Sequence, residues 1–198
     1  MVLSKRFRGF LPIVIDIETA GFNPETNAML EIACHFIDYH DGRLEIIDTL
    51  HEHIIPEPGL VLDKDALEFT QIIPDHPFRR AIGEKDMLES LDAKIREHCE
   101  RLRCSRAVLV GHNGQFDLSF IQAAVARQSV NLLLHKFLVF DTATLSAAFL
   151  GETVLARAVR RSGKPFDEKE AHGALYDATV TAELFSELIS RADEGRKK

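Results

Sequence analysis

Residues 13–19, Ile-Val-Ile-Asp-Ile-Glu-Thr, form a short apolar run with two carboxylates near its end. Its isoleucine and valine side chains are β-branched, which is typical of a buried strand. Because side chains alternate along a strand, Asp16 and Glu18 project from the same face. Two such carboxylates repel each other unless a proton or a cation lies between them, and Mg²⁺ and Mn²⁺ bind carboxylate oxygens. A pair of solvated acids at a strand end is the alternative, which this motif alone favours.

The composition is that of an ordinary globular protein, with 198 residues, 45% hydrophobic and 28% charged. This length predicts one domain over 1–198 with a core of its own. No apolar run approaches the ~20 residues of a membrane span. Residues 5–15 superficially resemble a signal peptide, but Asp16 and Glu18 interrupt the apolar run and no small-residue cleavage site follows. We therefore expect a cytoplasmic protein without a membrane partner.

Charge and cysteine content narrow the function classes only in part. The three cysteines are odd in number and lack C-x-x-C spacing, which argues against a disulfide framework or a zinc site. The net charge of −7 counts mildly against a nucleic-acid partner. The basic residues nevertheless cluster: Lys5, Arg6 and Arg8; Arg79 and Arg80; Arg101, Arg103 and Arg106; Arg157, Arg160, Arg161 and Lys164. An acidic metal site combined with local basic patches can produce such a negative net charge.

The order of predicted elements indicates an α/β protein. Strands are predicted at 13–19, 28–39, 43–55, 107–110 and 137–140, and helices at 63–70, 85–102, 115–129, 143–149, 153–161 and 174–192. Asp41-Gly42 between the second and third strands is a strong hairpin signal. Hairpin strands followed by alternating helix and strand predict a mixed five-stranded sheet flanked by helices.

Three further residues are candidates for the same site as Asp16 and Glu18. Asp117 follows a strand and turn at the start of a helix, and Asp177 lies within the last helix. His172 precedes Asp177 by five residues, which do not share a helix face, so we expect it on the loop entering the helix. Each has an alternative: Asp117 as a helix N-terminal acid, Asp177 as a surface acid and His172 as an exposed histidine.

Together these residues form the series D-x-E, H-N-x-x-F-D and H-x-x-x-x-D, which resembles the DEDD exonuclease superfamily in its His-containing branch. The resemblance covers nearly the whole chain, including residues 6–10 and 171–177. It implies a ribonuclease H-like fold and 3′-to-5′ release of nucleoside 5′-monophosphates from tRNA, other stable RNAs and single-stranded DNA. Two Mg²⁺, or Mn²⁺, would bind Asp16, Glu18, Asp117 and Asp177, and His172 would act as general base.

The resemblance also predicts contacts to the 3′ end of a single strand. Bases stack well on aromatic faces, and the residues matching the family's phenylalanines are Phe22, Phe69, Phe116 and Phe137. In a chain with thirteen Phe and no Trp, core packing is the alternative for any of them. Asp65 stands where the family has a glutamate, a departure that bears on base preference.

A homodimer is expected from the same resemblance, with the basic patch of one subunit delivering nucleic acid to the active site of the other. Arg6, Arg8 and Arg106 match that patch. Glu100 stands where the family usually has lysine, although Arg101 and Arg103 lie beside it. We expect the patch to be present but rearranged.

Other functions are less consistent with these residues. An aspartate-nucleophile phosphatase requires D-x-D-x-T/V, and Ala20 occupies the place of its Thr or Val. A non-enzymatic nucleic-acid-binding module does not need four acids and a histidine in this order. A DNA proofreading exonuclease or an oligoribonuclease of the same superfamily stays open, although the aromatic residues and the N-terminal arginines favour RNA trimming.

Overall fold

The computed structural model describes residues 2–195, and a central five-stranded sheet organises them. Its strands are β1 (Phe10–Thr19), β2 (Met29–His40), β3 (Arg43–His53), β4 (Arg106–Gly111) and β5 (Leu134–Asp141). The helices are α1 (Leu3–Arg6), α2 (Lys64–Thr70), α3 (Glu84–Leu102), α4 (Gln115–Gln128), α5 (Thr142–Leu150), α6 (Leu155–Arg161) and α7 (Ala174–Gly195).

The sheet has the order β3-β2-β1-β4-β5, so the strand with the two carboxylates lies at its centre. β1 pairs antiparallel with β2 and parallel with β4, and β5 continues the parallel half. Asp41 and Gly42 both adopt positive φ, 49° and 87°, as a tight hairpin turn between β2 and β3 requires. The prediction of a mixed five-stranded sheet flanked by helices is confirmed.

Helices cover both faces of β1, which explains why its apolar side chains are buried. On one face α7 packs across the antiparallel half, where Ala33, Ala174 and Ala178 are fully buried together. On the other face α3 lies over the sheet, and its His98 stacks on Phe36 of β2 with 4.2 Å between ring centroids. The small alanine side chains bring the backbone of α7 close to the sheet.

The observed elements differ from the predicted ones mainly at their ends. β5 begins at Leu134 rather than 137, because Leu134 pairs with Ala107 before the register shifts. α1 was not predicted; its four residues are too short for a periodic signal, and it is held by Leu3, whose side chain is buried. The domain predicted over 1–198 includes Met1 and 196–198, which lie outside the described residues.

None of the helices within residues 2–195 combines the length and the hydrophobicity that a bilayer-spanning segment requires.

Candidate active site

Carboxylates from two elements meet at the centre of the sheet. Asp16 and Glu18 project from β1 toward α7, and Asp177 projects from the first turn of α7 toward them. One carboxylate oxygen of each lies within 4.8 Å of the others. The buried alanine contact between α7 and β2 sets this approach, because a larger side chain there would move Asp177 away from β1.

The fourth acid is attached to the same strand through a hydrogen bond. Asp117 lies in the first turn of α4 and is 6% exposed, and its Oδ1 accepts from the backbone N–H of Ile17 at 3.1 Å. Ile17 stands between Asp16 and Glu18, so this bond fixes α4 against the strand that carries them. The turn before α4 is tightly packed: a Cβ on Gly114 would lie 2.9 Å from the Cα of Gly111.

These acids lie in an environment that disfavours their charged form. Burial, and then the charges of Asp117, Asp177 and Glu18, raise the pKa of Asp16 well above its usual value. Burial, followed by Asp177 and Glu31, raises the pKa of Glu18 to about 8. Burial raises the pKa of Asp117 to about 7 and raises that of Asp177 as well.

Bound cations would remove this mutual repulsion, and the donor set suits hard divalent ions. All four groups offer carboxylate oxygens, the ligands that Mg²⁺ and Mn²⁺ prefer. Asp177 Oδ1 is buried and has no hydrogen-bond partner among the described residues. A buried oxygen of this kind is costly unless a ligand satisfies it. Asp16, Glu18, Asp117 and Asp177 therefore fit a metal site.

His172 lies on the loop immediately before α7, where the sequence places it. Its φ is 68°, and its backbone N–H donates to Asp177 Oδ2 at 3.2 Å. Its ring is exposed and packs against the ring of Phe69, with centroids 4.4 Å apart. The histidine is thus tied by its backbone to one carboxylate while its ring stays accessible to water.

Three of the four selected phenylalanines lie near these groups. Phe22 is 87% exposed and approaches the half-buried Phe116 at 6.3 Å, directly before Asp117. Phe69, 62% exposed on α2, contacts His172. Phe137 is also highly exposed, but its ring contact is with His135 on its own strand.

Asp65 is an exposed residue at the start of α2, the helix that also carries Phe69. Its backbone N–H donates to the Oδ1 of the capping residue Asp63 at 2.9 Å. The Asp65 side chain thus lies on the same short helix as an exposed aromatic ring.

The basic residues lie at the opposite end of the sheet. Arg106 starts β4 beside Phe10 at the start of β1, and Phe10 precedes Asp16 by six residues, about 20 Å of strand. Arg8 is exposed next to this edge. Arg6 instead forms an ion pair with Asp193, with Nε 2.9 Å from Oδ1. Glu100 is exposed near the end of α3.

Sequence reasoning did not select Glu31, a residue that the fold places beside these acids. Glu31 is 7% exposed and faces Glu18 across the β1–β2 ladder. The available signal was a carboxylate inside the apolar run 28–39. The pairing register, which the sequence did not supply, decides which residue that carboxylate faces.

A ribonuclease H-like sheet with four carboxylates converging at its central strand defines the class as an exonuclease fold. The nuclease domain of 3′hExo, a DEDDh family member bound to rAMP, aligns with a TM-score of 0.71 at 18% identity, over 91% of this chain and 92% of that one. Exonuclease I from E. coli in complex with a dT13 oligonucleotide aligns with a TM-score of 0.72 at 14% identity, over 95% of this chain but 43% of that one.

Sequence comparison identifies the particular family. A profile of the RNase T family, described as exonuclease, matches residues 13–185. Ribonuclease T from Yersinia enterocolitica is 47% identical over 191 residues, 96% of this chain and 89% of the relative. Ribonuclease T from Buchnera aphidicola is 48% identical over 96% of this chain and 88% of the relative. The chain belongs to the ribonuclease T family, and it is a 3′-to-5′ exoribonuclease that hydrolyses phosphodiester bonds.

Proposed function

We propose that this chain trims the 3′ ends of tRNA and other stable RNAs, and of single-stranded DNA, by metal-dependent hydrolysis that releases nucleoside 5′-monophosphates. The observation that carries the proposal is the convergence of Asp16, Glu18 and Asp177, which each place a carboxylate oxygen within 4.8 Å of the others. Family membership supports the same reaction. A cytoplasmic location, in one domain spanning the chain, fits three cysteines that are all free.

Asp16, Glu18, Asp117 and Asp177 would hold two Mg²⁺, and Mn²⁺ suits the same oxygen ligands. When bound, the two ions activate the attacking water and stabilise the leaving 3′ oxygen. The Asp117 carboxylate keeps Oδ1 on the Ile17 N–H, which leaves Oδ2 for a ligand. The scissile phosphate thereby lies between β1 and α7, on the face where these acids converge.

His172 is proposed as the general base. Its ring is exposed, and its backbone is held 3.2 Å from Asp177 Oδ2, so the imidazole can reach a water beside the carboxylates. A neutral imidazole accepts the water proton and returns it to solvent. The contact with Phe69 limits the positions of the ring, and a positioned base contributes more than a mobile one.

The exposed phenylalanines are proposed to hold the terminal bases. Phe22 and Phe116 form one aromatic wall beside Asp117, and Phe69 forms another beside His172. A terminal base between these walls would place the phosphodiester on its 5′ side at the carboxylates, and hydrolysis of that bond releases a nucleoside 5′-monophosphate. Asp65 on α2 and Phe137 on β5 complete the proposed contacts to the nucleic acid. Phe137 would make its contact further from the carboxylates.

The position of the basic residues supports a homodimer. Arg8 and Arg106 lie about 20 Å along the sheet from the carboxylates, a distance that a short 3′ end bound in one protomer would not cover. A second copy would place these arginines beside the site of its partner. Arg6 would contribute more weakly, because Asp193 already neutralises it.

The catalytic proposal is tested with 5′-labelled RNA and DNA oligonucleotides of the same sequence. We expect Mg²⁺ to produce a ladder of shortened products and EDTA to stop it, while a circular RNA stays intact. Asp16→Asn and His172→Ala should each lower kcat by at least about a hundredfold. Asp41→Asn, which changes an exposed acid in a turn, is the matched control. Turnover by Asp16→Asn at the wild-type rate would overturn the site assignment.

The binding proposal is tested by the salt dependence of RNA affinity. Arg8→Ala combined with Arg106→Ala should reduce the slope of log K against log salt by about 1.4, because two phosphate contacts are lost. Arg96→Ala, an exposed arginine paired with Asp92, is the control. An unchanged affinity and slope would remove the arginines from the binding surface, and a monomer in sedimentation would contradict the dimer.

A further inference from the structure

A second group of metal-binding side chains lies one strand away from the carboxylates. Glu31 on β2 pairs directly with His53 on β3, and His51 precedes His53 by two residues, so all three project from the same face. One donor atom of each lies within 4.8 Å of the others. A glutamate with two imidazoles is a different donor set from the all-carboxylate site.

The contacts within this group fall in the range that a metal ion can bridge. His51 Nε2 lies 2.7 Å from Glu31 Oε1, and His53 Nδ1 lies 4.0 Å from Glu31 Oε2. Donor atoms around a tetrahedral Zn²⁺ lie about 3.4 Å apart. Shifts of less than about 1 Å in side-chain positions would therefore form the coordination sphere, and the paired strands already hold the backbones in place.

Hydrogen bonds within the described residues explain the position of only one of the two histidines. The hydrogen bond to Glu31 explains the position of His51. His53 Nδ1, by contrast, is buried and has no hydrogen-bond partner among residues 2–195, although it points toward the carboxylate. Arg79 donates to the backbone carbonyls of Leu30 and Pro74 and forms no ion pair with Glu31.

We propose that Glu31, His51 and His53 form a Zn²⁺ site that borders the catalytic metal site through Glu31 and Glu18, shares none of its ligands and does not depend on the proposed function. Imidazole and carboxylate ligands suit Zn²⁺ better than Mg²⁺. The ion takes the place of the proton on His51 Nε2, which moves to Nδ1 of a neutral ring or is released to solvent from a protonated ring. The histidine side chains are 30% and 35% exposed, and β3 is an edge strand, so the fourth ligand is water.

The site is tested by Zn²⁺ binding to the metal-stripped full chain in excess Mg²⁺, measured by equilibrium dialysis and elemental analysis. We expect one Zn²⁺ per chain. Asp16→Asn combined with Asp177→Asn should retain it, since the catalytic acids are not its ligands. His53→Gln should lower the affinity at least about tenfold, and His51→Gln with His53→Gln at least about a hundredfold. His40→Gln, an exposed histidine at the end of β2, should bind as the wild type does.

His53→Gln keeps the test independent of folding, because its Nδ1 makes no hydrogen bond that the substitution would remove. Its Tm without metal should equal that of the wild type. Co²⁺ bound in place of Zn²⁺ should give the visible absorption of a tetrahedral ion in the wild type and lose it in His53→Gln. Equal Zn²⁺ affinity in the wild type and the double histidine variant would overturn the site, as would loss of Zn²⁺ from Asp16→Asn with Asp177→Asn.

Discussion

Two groups of buried carboxylates in this molecule differ in the partners that surround them. Glu84 at the start of α3 is 2% exposed, and it accepts hydrogen bonds from Arg127 at 2.7 and 3.0 Å and from Gln128 at 3.1 Å. Asp16 and Asp177 are surrounded by other acids, and Asp177 Oδ1 has no partner within residues 2–195. The first arrangement joins α3 to α4. The second lowers stability unless a cation lies between the acids, which is the role that we propose for a bound metal ion.

Between these two groups of carboxylates, the largest expected stability effect comes from making Glu84 resemble the acids of β1 and α7. Arg127→Met leaves this carboxylate buried without a cation, and we expect the free energy of unfolding to fall by about 3 kcal/mol. Urea denaturation measures the loss. Glu84→Gln combined with Arg127→Met should recover most of it, because no charge is left unpaired. A loss of under about 1 kcal/mol for Arg127→Met would show that the ion pair is not structural.

A smaller effect is expected from pH in the metal-free protein. The pKa of Glu18 is raised to about 8, so the native state keeps a proton that the unfolded chain has already released. Stability contributed by this proton is present at acidic pH and is lost as pH rises toward 8. We expect the free energy of unfolding to fall by about 1 to 2 kcal/mol between pH 6 and pH 8.

Denaturation with urea at several pH values in EDTA measures this slope. Glu18→Gln should have a flatter profile, which separates the carboxyl group from the histidines that titrate in the same range. Excess Mg²⁺ should flatten the wild-type profile more than that of Glu18→Gln, which has lost one of the four carboxylates but keeps Asp117 with its pKa raised to about 7. A wild-type stability that rises from pH 6 to pH 8 in EDTA would contradict the repulsion inferred here.

The smallest stability effect is expected at an exposed aromatic residue of the site. Phe22 is 87% exposed, so Phe22→Ala should change the free energy of unfolding by less than about 0.5 kcal/mol. It should weaken the binding of a single-stranded oligonucleotide by about 1 to 3 kcal/mol, since a stacked base loses its partner. Phe36→Ala, within the core, is the contrasting variant and should cost about 3 kcal/mol or more. Unaltered binding by Phe22→Ala would place this ring outside the substrate site.

Most of the fold follows from local patterns in the sequence. The hairpin at Asp41-Gly42 and the helices predicted over 63–70 and 85–102 each have a short-range cause, and the structure has each within one residue of the predicted bounds. The ends of β5 could not be predicted, because they depend on pairing with β4. α1 depends similarly on burial of Leu3 against the core.

The features of the site likewise follow in part from local sequence patterns and in part from long-range pairing. The spacing of Asp16 and Glu18 on a strand, and of His172 before a helix, was sufficient to predict which way these residues project. The contact of Asp117 with Ile17 and the position of Glu31 opposite Glu18 depend on long-range pairing. The ion pair of Arg6 with Asp193 could not be predicted either, because it joins the two ends of the described chain.

The placement of Asp177 on the last helix has a consequence for the newly made chain. A ribosome-bound fragment that ends before α7 contains the sequence of β1 to β5, but it lacks Asp177, the acid that completes the carboxylate cluster. Nascent chains would therefore carry no nuclease activity until α7 has emerged and docked against Ala33. With the proposed site, the order in which the polypeptide is made would protect RNA near the site of synthesis.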